Sequence, residues 1–327
     1  MPSNFGMSSK TNILVVGAGF SGAVIAIELA RQGHRITVID QRNHIAGNAY
    51  DRVDEYGFRV HHYGPHLFHT SNNKVVEWLS QFTEWTPYKH KVKALLSNGQ
   101  YVTLPVNRET AEIVGRENII DTFFRPYTKK MWGIDLEKLD PSILQRIPMR
   151  DDLNEFYFPN DTFQAMPKEG YTAMFTKILD HPNICVELNK KFNRLMESEY
   201  SYVFNSMPID EYFEFEHGEL PYRSVKFHHH TLPMPSALPT ATVNFTHSGP
   251  FTRVTEWKKL PGHGVHETYT TLTFEEPCDY KDNFMERYYP VKDLEGLNLK
   301  KYKKYRAMCP SHVSFIGRCG LYAYLDM

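Results

Sequence analysis

A chain of 327 residues can bury a large core and is long enough to divide into more than one lobe. Its formal net charge of −1 excludes the bulk field that would hold nucleic acid or an anionic membrane surface. The four cysteines (Cys185, Cys278, Cys309, Cys319) lack C-x-x-C pairing and read as reduced thiols of a cytoplasmic protein.

Ile13 to Val16 is an apolar run with the character of a buried parallel strand. It breaks into Gly17-x-Gly19-x-x-Gly22, which encloses Phe20 and Ser21, and then into a helical pattern through Leu29. Gly17 allows the tight turn, Gly19 admits a pyrophosphate to the backbone, and Gly22 lets helix pack on strand. The stretch Ile13 to Ile27 is shorter than the ~20 residues of a membrane span. A second strand, Arg35 to Ile39, ends at Asp40, where a carboxylate can bind both hydroxyls of an unphosphorylated ribose and would repel a 2′-phosphate. Gln41, Arg42 and the small-residue pair Ala46-Gly47, followed by Asn48, resemble the segment that flavoproteins carry just after that acid, where a second backbone turn approaches the cofactor, and so favour FAD over NAD. Ala46 fits such a turn if its φ stays negative.

Asn98-Gly99 between Ala94–Ser97 and Gln100–Leu104 predicts a β-hairpin. Residues 107–130 read as short helices, with Asn107 and Asn118 as capping residues and apolar spacing at Ile119, Ile120, Phe123 and Phe124. From Cys185 onward the pattern is β-branched and alternating: 202–205, 224–228, 242–246, 252–256 and 268–274, expected to form an antiparallel sheet. Residues 300–308 are expected to be helical, their basic run forming a wet face, and Val313 to Ile316 a strand returning to the first sheet. The expectation is an α/β chain: an FAD-binding Rossmann-like domain with a small helical lobe and an antiparallel β-sheet substrate domain. The segments are 1–75 (FAD-binding), 76–150 (hairpin, helical lobe and lid), 151–280 (sheet, with a return to the FAD domain near 185–220) and 281–327 (a final return). His228-His229-His230 invites a metal reading, but only His228 and His230 share a strand face and no third ligand is evident. No metal is expected.

Four further blocks stand out. They are Tyr63-Gly-Pro-His66-Leu-Phe-His69-Thr70, Tyr127-Thr-Lys-Lys-Met-Trp132-Gly133, Arg146-Ile-Pro-Met-Arg150, and Phe315-Ile-Gly-Arg318-Cys-Gly-Leu-Tyr-Ala-Tyr324-Leu-Asp326. With the FAD-type start, and with Tyr222-Arg-Ser224, Val243-Asn-Phe-Thr246, Phe251-Thr-Arg253 and Tyr288-Tyr-Pro-Val291, they closely resemble the UDP-galactopyranose mutase family of flavin-dependent nucleotide-sugar furanose mutases. The resemblance runs in order from about Ile13 to the last residue.

It implies interconversion of UDP-galactopyranose and UDP-galactofuranose by attack of reduced flavin N5 on the anomeric carbon, with FAD primed by an external reductant such as NAD(P)H. Arg146, Arg253, His69 and Arg318 are assigned to catalysis, the first two as a clamp on the diphosphate. His66 and His69 would lie against the isoalloxazine, and Arg318 and Asp326 would line the flavin. Phe123, Phe124, Tyr127 and Trp132 would form the uridine pocket. Tyr157, Tyr289 and Tyr324 would bond the phosphates, with Asn244 near the sugar. A UDP-sugar partner, a homodimer, no nucleic acid and no membrane span are the matching expectations. His69 is the residue type of galactose enzymes, whereas arginine there accompanies N-acetyl substrates. UDP-N-acetylgalactosamine or a deoxysugar nucleotide is the alternative substrate, and an amine-oxidase-type oxidoreductase or an impaired FAD-fold protein the alternative function. Between His69 and Trp132 the chain is some tens of residues shorter than common bacterial members. It also stops at Met327, where the family continues into a helix backing the flavin, so weakened FAD binding is expected.

Overall fold

The computed structural model describes residues 11–138, 149–293 and 295–325. The chain forms two units. The first comprises 1–50, 171–220 and 299–327, the second 51–170 and 221–298.

The first unit is built on a parallel sheet. Its strand order is Ile184–Glu187, Arg35–Ile39, Asn12–Val16, Tyr202–Asn205, Val313–Phe315. Ile13, Leu14, Val15, Ile36, Val38 and Val203 are all buried, as expected of strands covered on both faces. The helix Phe20–Arg31 follows the first strand, with Gly22, Ala23, Ala26, Ile27 and Ala30 buried. These small residues let the helix lie close to the sheet. A Cβ on Gly22 would collide with the Gly17 carbonyl, so glycine is required there. The Val313–Phe315 strand returns to this sheet as expected. Tyr202–Asn205 does too, parallel to Asn12–Val16, and so does not belong with the antiparallel strands among which alternation had placed it. Alternation reports a half-buried strand and carries no information about its partner. The basic helix spans Leu297–Ala307; within it Tyr305 is buried, its hydroxyl donating to the Gly218 carbonyl.

The second unit carries a seven-stranded sheet. Its order is Tyr289–Pro290, Tyr222–Leu232, Thr270–Asp279, Arg253–Glu256, Thr242–Phe245, Val92–Leu95, Tyr101–Leu104. Every pairing is antiparallel except Thr242–Phe245 with Val92–Leu95. That parallel join brings the Asn98-Gly99 hairpin into the sheet, which local patterning did not disclose. Gly99 takes φ +86°, the conformation that makes glycine the right residue in this turn. Asn107 caps the helix Arg108–Val114 by accepting from Thr110 N. Asn118 directly precedes the helical run that begins at Ile119, but its side chain turns back: its amide donates to the Val114 carbonyl at the end of the preceding helix. Ile119 and Phe123, four apart, share a buried face with Ala94, Val102, Val106 and Ala111.

The three histidines at 228–230 each meet a cross-strand neighbour: His228 pairs with Glu276 at 2.7 Å, His229 with the Thr273 hydroxyl at 2.7 Å, and His230 lies edge-on to Phe274. Among the described residues no group of three His, Cys, Asp or Glu gathers as metal ligands. No described helix is long and apolar enough to cross a membrane.

Candidate active site

In the first unit the glycine turn and the Ala46-Gly47 turn press against each other. A Cβ built on Gly47 would stand 2.9 Å from Gly19 Cα, and one on Gly19 would stand 3.6 Å from Gly47 Cα. The Ala46 N–H donates to the Ala18 carbonyl and ties the two turns together. Ala46 is buried at φ +72°, against the expectation of a negative φ. The left-handed region disfavours a Cβ, and this turn accepts that strain of order 1 kcal/mol at a tightly packed position.

Asp40 is buried at the end of its strand. Its two oxygens accept from Ala18 N (2.8 Å) and Arg42 N (2.9 Å), so the carboxylate holds both turns. Each oxygen keeps a further lone pair for a ribose hydroxyl. Arg42 Nη1 donates to Asn48 Oδ1 at 2.9 Å. Phe20 packs edge-on to Tyr171 and Phe175, and Gln41 is exposed. Arg318 donates to the Leu325 carbonyl and stands over the Tyr324 ring. Gly17, Gly19, Ser21, Gly22, Gly47 and these side chains thus form a backbone-lined cradle with a buried acid at its edge, an arrangement that fits a dinucleotide. Asp326 and Arg146 lie outside the described residues.

The second unit holds the remaining residues. Arg253 and Glu275 are registered opposite each other on adjacent antiparallel strands, and Arg253 Nε lies 2.7 Å from Glu275 Oε1. Glu275 is buried, which raises its pKa; Arg253 opposes this. Burial lowers the pKa of Arg253, but Glu275, Tyr127 and Tyr289 outweigh this and raise it, so the guanidinium stays charged. Asn244 is paired across the sheet with Arg253, and its buried Oδ1 has no partner among the described residues. Trp132 lies 6.3 Å from the Tyr289 ring, and Tyr288 is fixed through its hydroxyl on the Tyr63 carbonyl. Tyr127, Trp132, Asn244, Arg253 and Tyr289 therefore belong to one neighbourhood. Phe123 does not project from it. Its ring is core, with Phe124 packed beside that cluster.

The helix Arg125–Trp132 is anchored at its C-terminal end from two sides. Lys130 Nζ donates to the carbonyls of Phe245 (2.9 Å), His247 (3.0 Å) and Phe251 (2.9 Å), closing the loop between the strands of Asn244 and Arg253. Arg223 donates to the carbonyls of Lys130 and Met131, a cation on the helix C-terminus.

His69 Nδ1 lies 2.7 Å from Asp161 Oδ2, and its ring stacks on Phe158 at 3.5 Å. His90 lies beyond Phe158, and Tyr157 donates its backbone N–H to the His90 carbonyl. His66 is held through its backbone N–H on His61 Nδ1 (3.0 Å) and through Nδ1 on the Gly64 carbonyl (2.9 Å). Sequence reasoning missed His61, His90, Lys130, Phe158, Asp161, Glu275 and His263. Glu275 alone had a legible signal, as a carboxylate in a Thr-rich strand that could pair with Arg253 across a sheet.

Burial lowers four histidine pKa values here: His90 to about 3 (with Arg253 and His69), His229 to about 4 (with His62 and Arg52), His263 to about 4 (against a Pro261 bond that raises it), and His61 well below 6.5 (with His263, His66 and Arg59). Unfolded, each takes up a proton near pH 6.5, so the unfolded chain binds more protons between that pH and the folded values. Their contribution to stability is present above about pH 6.5 and is lost as pH falls toward 4, at up to ~1.4 kcal/mol per pH unit for each histidine. Thermal melts should show Tm falling steadily from pH 7 to 4.5; a flat profile would contradict neutral burial.

The family model for UDP-galactopyranose mutase matches residues 122–324, and one for an NAD(P)-binding Rossmann-like domain matches 15–82. A probable UDP-galactopyranose mutase of Klebsiella pneumoniae is 36% identical over 98% of this chain and 92% of its own length. A dTDP-fucopyranose mutase of Escherichia coli is 33% identical over 96% and 94%. The crystal structure of a reduced UDP-galactopyranose mutase superposes with a TM-score of 0.72 at 16% identity, covering 95% of this chain and 90% of that one, a likeness of fold. On the extent of the family match and the near full-length identity, this chain belongs to the UDP-galactopyranose mutase family of isomerases.

Proposed function

We propose that this chain interconverts UDP-galactopyranose and UDP-galactofuranose with FAD as its cofactor. The observation that carries the reading beyond the family is Arg253, a charged guanidinium anchored on the buried Glu275, flanked by Tyr127 and Tyr289 and paired with Asn244. When bound and reduced, the flavin supplies the nucleophile, N5, that displaces UDP from the anomeric carbon. NAD(P)H is the class of reductant that would prime it.

The chain's own residues do the rest. Arg253, with Arg146, binds the diphosphate, which is both handle and leaving group. Stabilising its charge therefore lowers the barrier as well as strengthening binding. Tyr157, Tyr289 and Tyr324 hydrogen-bond the phosphates. Trp132 and Tyr127 offer ring faces to uracil, with Phe124 behind them. Asn244 Oδ1, buried without a partner among the described residues, accepts from a sugar hydroxyl. Asp161 holds His69 with Nδ1 donating, and His66, His69, Arg318 and Asp326 keep the flavin roles that the resemblance implies. Asp40 takes the ribose hydroxyls and the glycine turns take the pyrophosphate.

A deoxysugar nucleotide is the second substrate reading, favoured by the 33% identity of the dTDP-fucopyranose mutase. The test is to reduce the FAD-loaded protein with dithionite and offer UDP-galactofuranose and dTDP-fucofuranose separately. Faster conversion of the UDP-sugar is expected. Preference for the dTDP-sugar would replace the substrate, and conversion of neither would remove the reading.

A further inference from the structure

Behind His66 the hydrogen bonds of two imidazoles run in one direction. The His66 backbone N–H donates to His61 Nδ1 at 3.0 Å. A backbone N–H can only donate, so His61 Nδ1 carries a lone pair and its ring proton sits on Nε2. That Nε2 lies 2.9 Å from His263 Nε2, which must then accept. His263 accordingly keeps its proton on Nδ1, 2.9 Å from the Pro261 carbonyl oxygen, which can only accept. One assignment of protons satisfies these contacts, and in it both rings are neutral.

The surroundings favour that state. Both rings are buried, and they lie 4.9 Å and 6.0 Å from the fully buried indole of Trp257. The Trp257 Nε1–H is itself committed to the Thr273 hydroxyl at 2.7 Å. Arg59, a cation that acts on both rings, is 3.7 Å from Asp51 and donates its backbone N–H to the His263 carbonyl. At the other end the turn has little freedom. Gly64 takes φ +82°, and a Cβ there would stand 2.7 Å from the Phe227 ring. His66 Nδ1 lies 2.9 Å from the Gly64 carbonyl oxygen, which can only accept, so Nδ1 carries a proton.

We infer that His61 and His263 are positioning residues, a tautomer-locked pair that fixes the Gly64–His66 turn and so sets how the His66 imidazole meets the flavin. Only the last clause rests on the FAD reading. In His263→Leu, His61 Nε2–H loses its acceptor in a buried site. Moving that proton to Nδ1 instead would set two donors, His61 Nδ1–H and His66 N–H, against each other. Either outcome loosens the turn. His263→Gln keeps an acceptor oxygen near the lost Nε2.

The experiment has two arms on the flavin-loaded protein. Long-range proton–nitrogen NMR of ¹⁵N-histidine-labelled wild type should find the ring proton of His61 on Nε2 and that of His263 on Nδ1. His263→Leu should lower kcat about tenfold or more while KM for the nucleotide sugar stays within about twofold. It should also shift the flavin reduction potential, and His263→Gln should restore both. A His61 proton on Nδ1, or wild-type kcat and potential in His263→Leu, would overturn the inference. A chain that holds no flavin would sink the FAD reading instead, and the tautomer spectrum would still decide the relay.

Discussion

Arg253→Ala should lower kcat/KM by about 10²–10³, through a fall in kcat as well as a rise in KM, because a charge-stabilising donor is lost where the leaving group departs. It should also destabilise the protein, since it leaves Glu275 buried without its cation. Breaking a fully buried pair from one side typically costs about 3–5 kcal/mol, and the 33% exposure of the Arg253 side chain places the cost here below that range. The two effects can be separated. Arg253→Ala/Glu275→Gln replaces the stranded carboxylate with a neutral amide, so Tm should recover while kcat/KM stays low. Flavin content should match wild type in both variants. If the double variant regained activity along with stability, Arg253 would be a structural ion pair. Arg146→Ala should reduce kcat/KM in the same way, by the role proposed for it.

Gly19→Val should yield a protein without bound flavin. A Cβ at Gly19 would already be in van der Waals contact with Gly47 Cα at 3.6 Å, and the two γ-methyls of valine reach further. They must enter either the second turn or the space where a pyrophosphate meets the helix N-terminus. Gly22→Val provides the contrast, since any Cβ there strikes the Gly17 carbonyl and should disrupt the sheet itself. The measurement is flavin absorbance per protein, with far-ultraviolet circular dichroism as control. Gly19→Val with wild-type flavin content would remove the glycine turn from the cofactor site.

The glycine turn, Asp40 and the parallel strands were legible because local rules fix them: a tight turn needs glycine, and doubly covered strands need unbroken apolar runs. Hairpin 98–99 was legible for the same reason. What escaped depended on distant parts of the chain. Tyr202–Asn205 lies in the return expected near 185–220, yet its alternation grouped it with the antiparallel strands and not with its partner Asn12–Val16. The parallel join of Val92–Leu95 to Thr242–Phe245 spans about 150 residues and leaves no local mark. Ala46 broke a propensity rule at a buried turn, where tertiary packing outweighed its φ preference. Within the site, rare types inside matched motifs (Trp132, Arg253, His66, His69) could be named, whereas the groups that hold them could not. Glu275, Lys130, Asp161, His61 and His263 are ordinary residues until the fold brings them to their partners.

In the proposed mechanism the sugar is transferred through reduced flavin N5 while the protein supplies binding and charge stabilisation. Reconstitution with 5-deaza-FAD, which replaces that nitrogen by carbon, tests it most directly. FAD-loaded protein reduced with dithionite should convert UDP-galactofuranose to UDP-galactopyranose, and the oxidised form should not. The reduced 5-deaza-FAD protein should bind UDP with unchanged affinity yet give no conversion. Turnover with 5-deaza-FAD, or full activity in the oxidised state, would contradict the account.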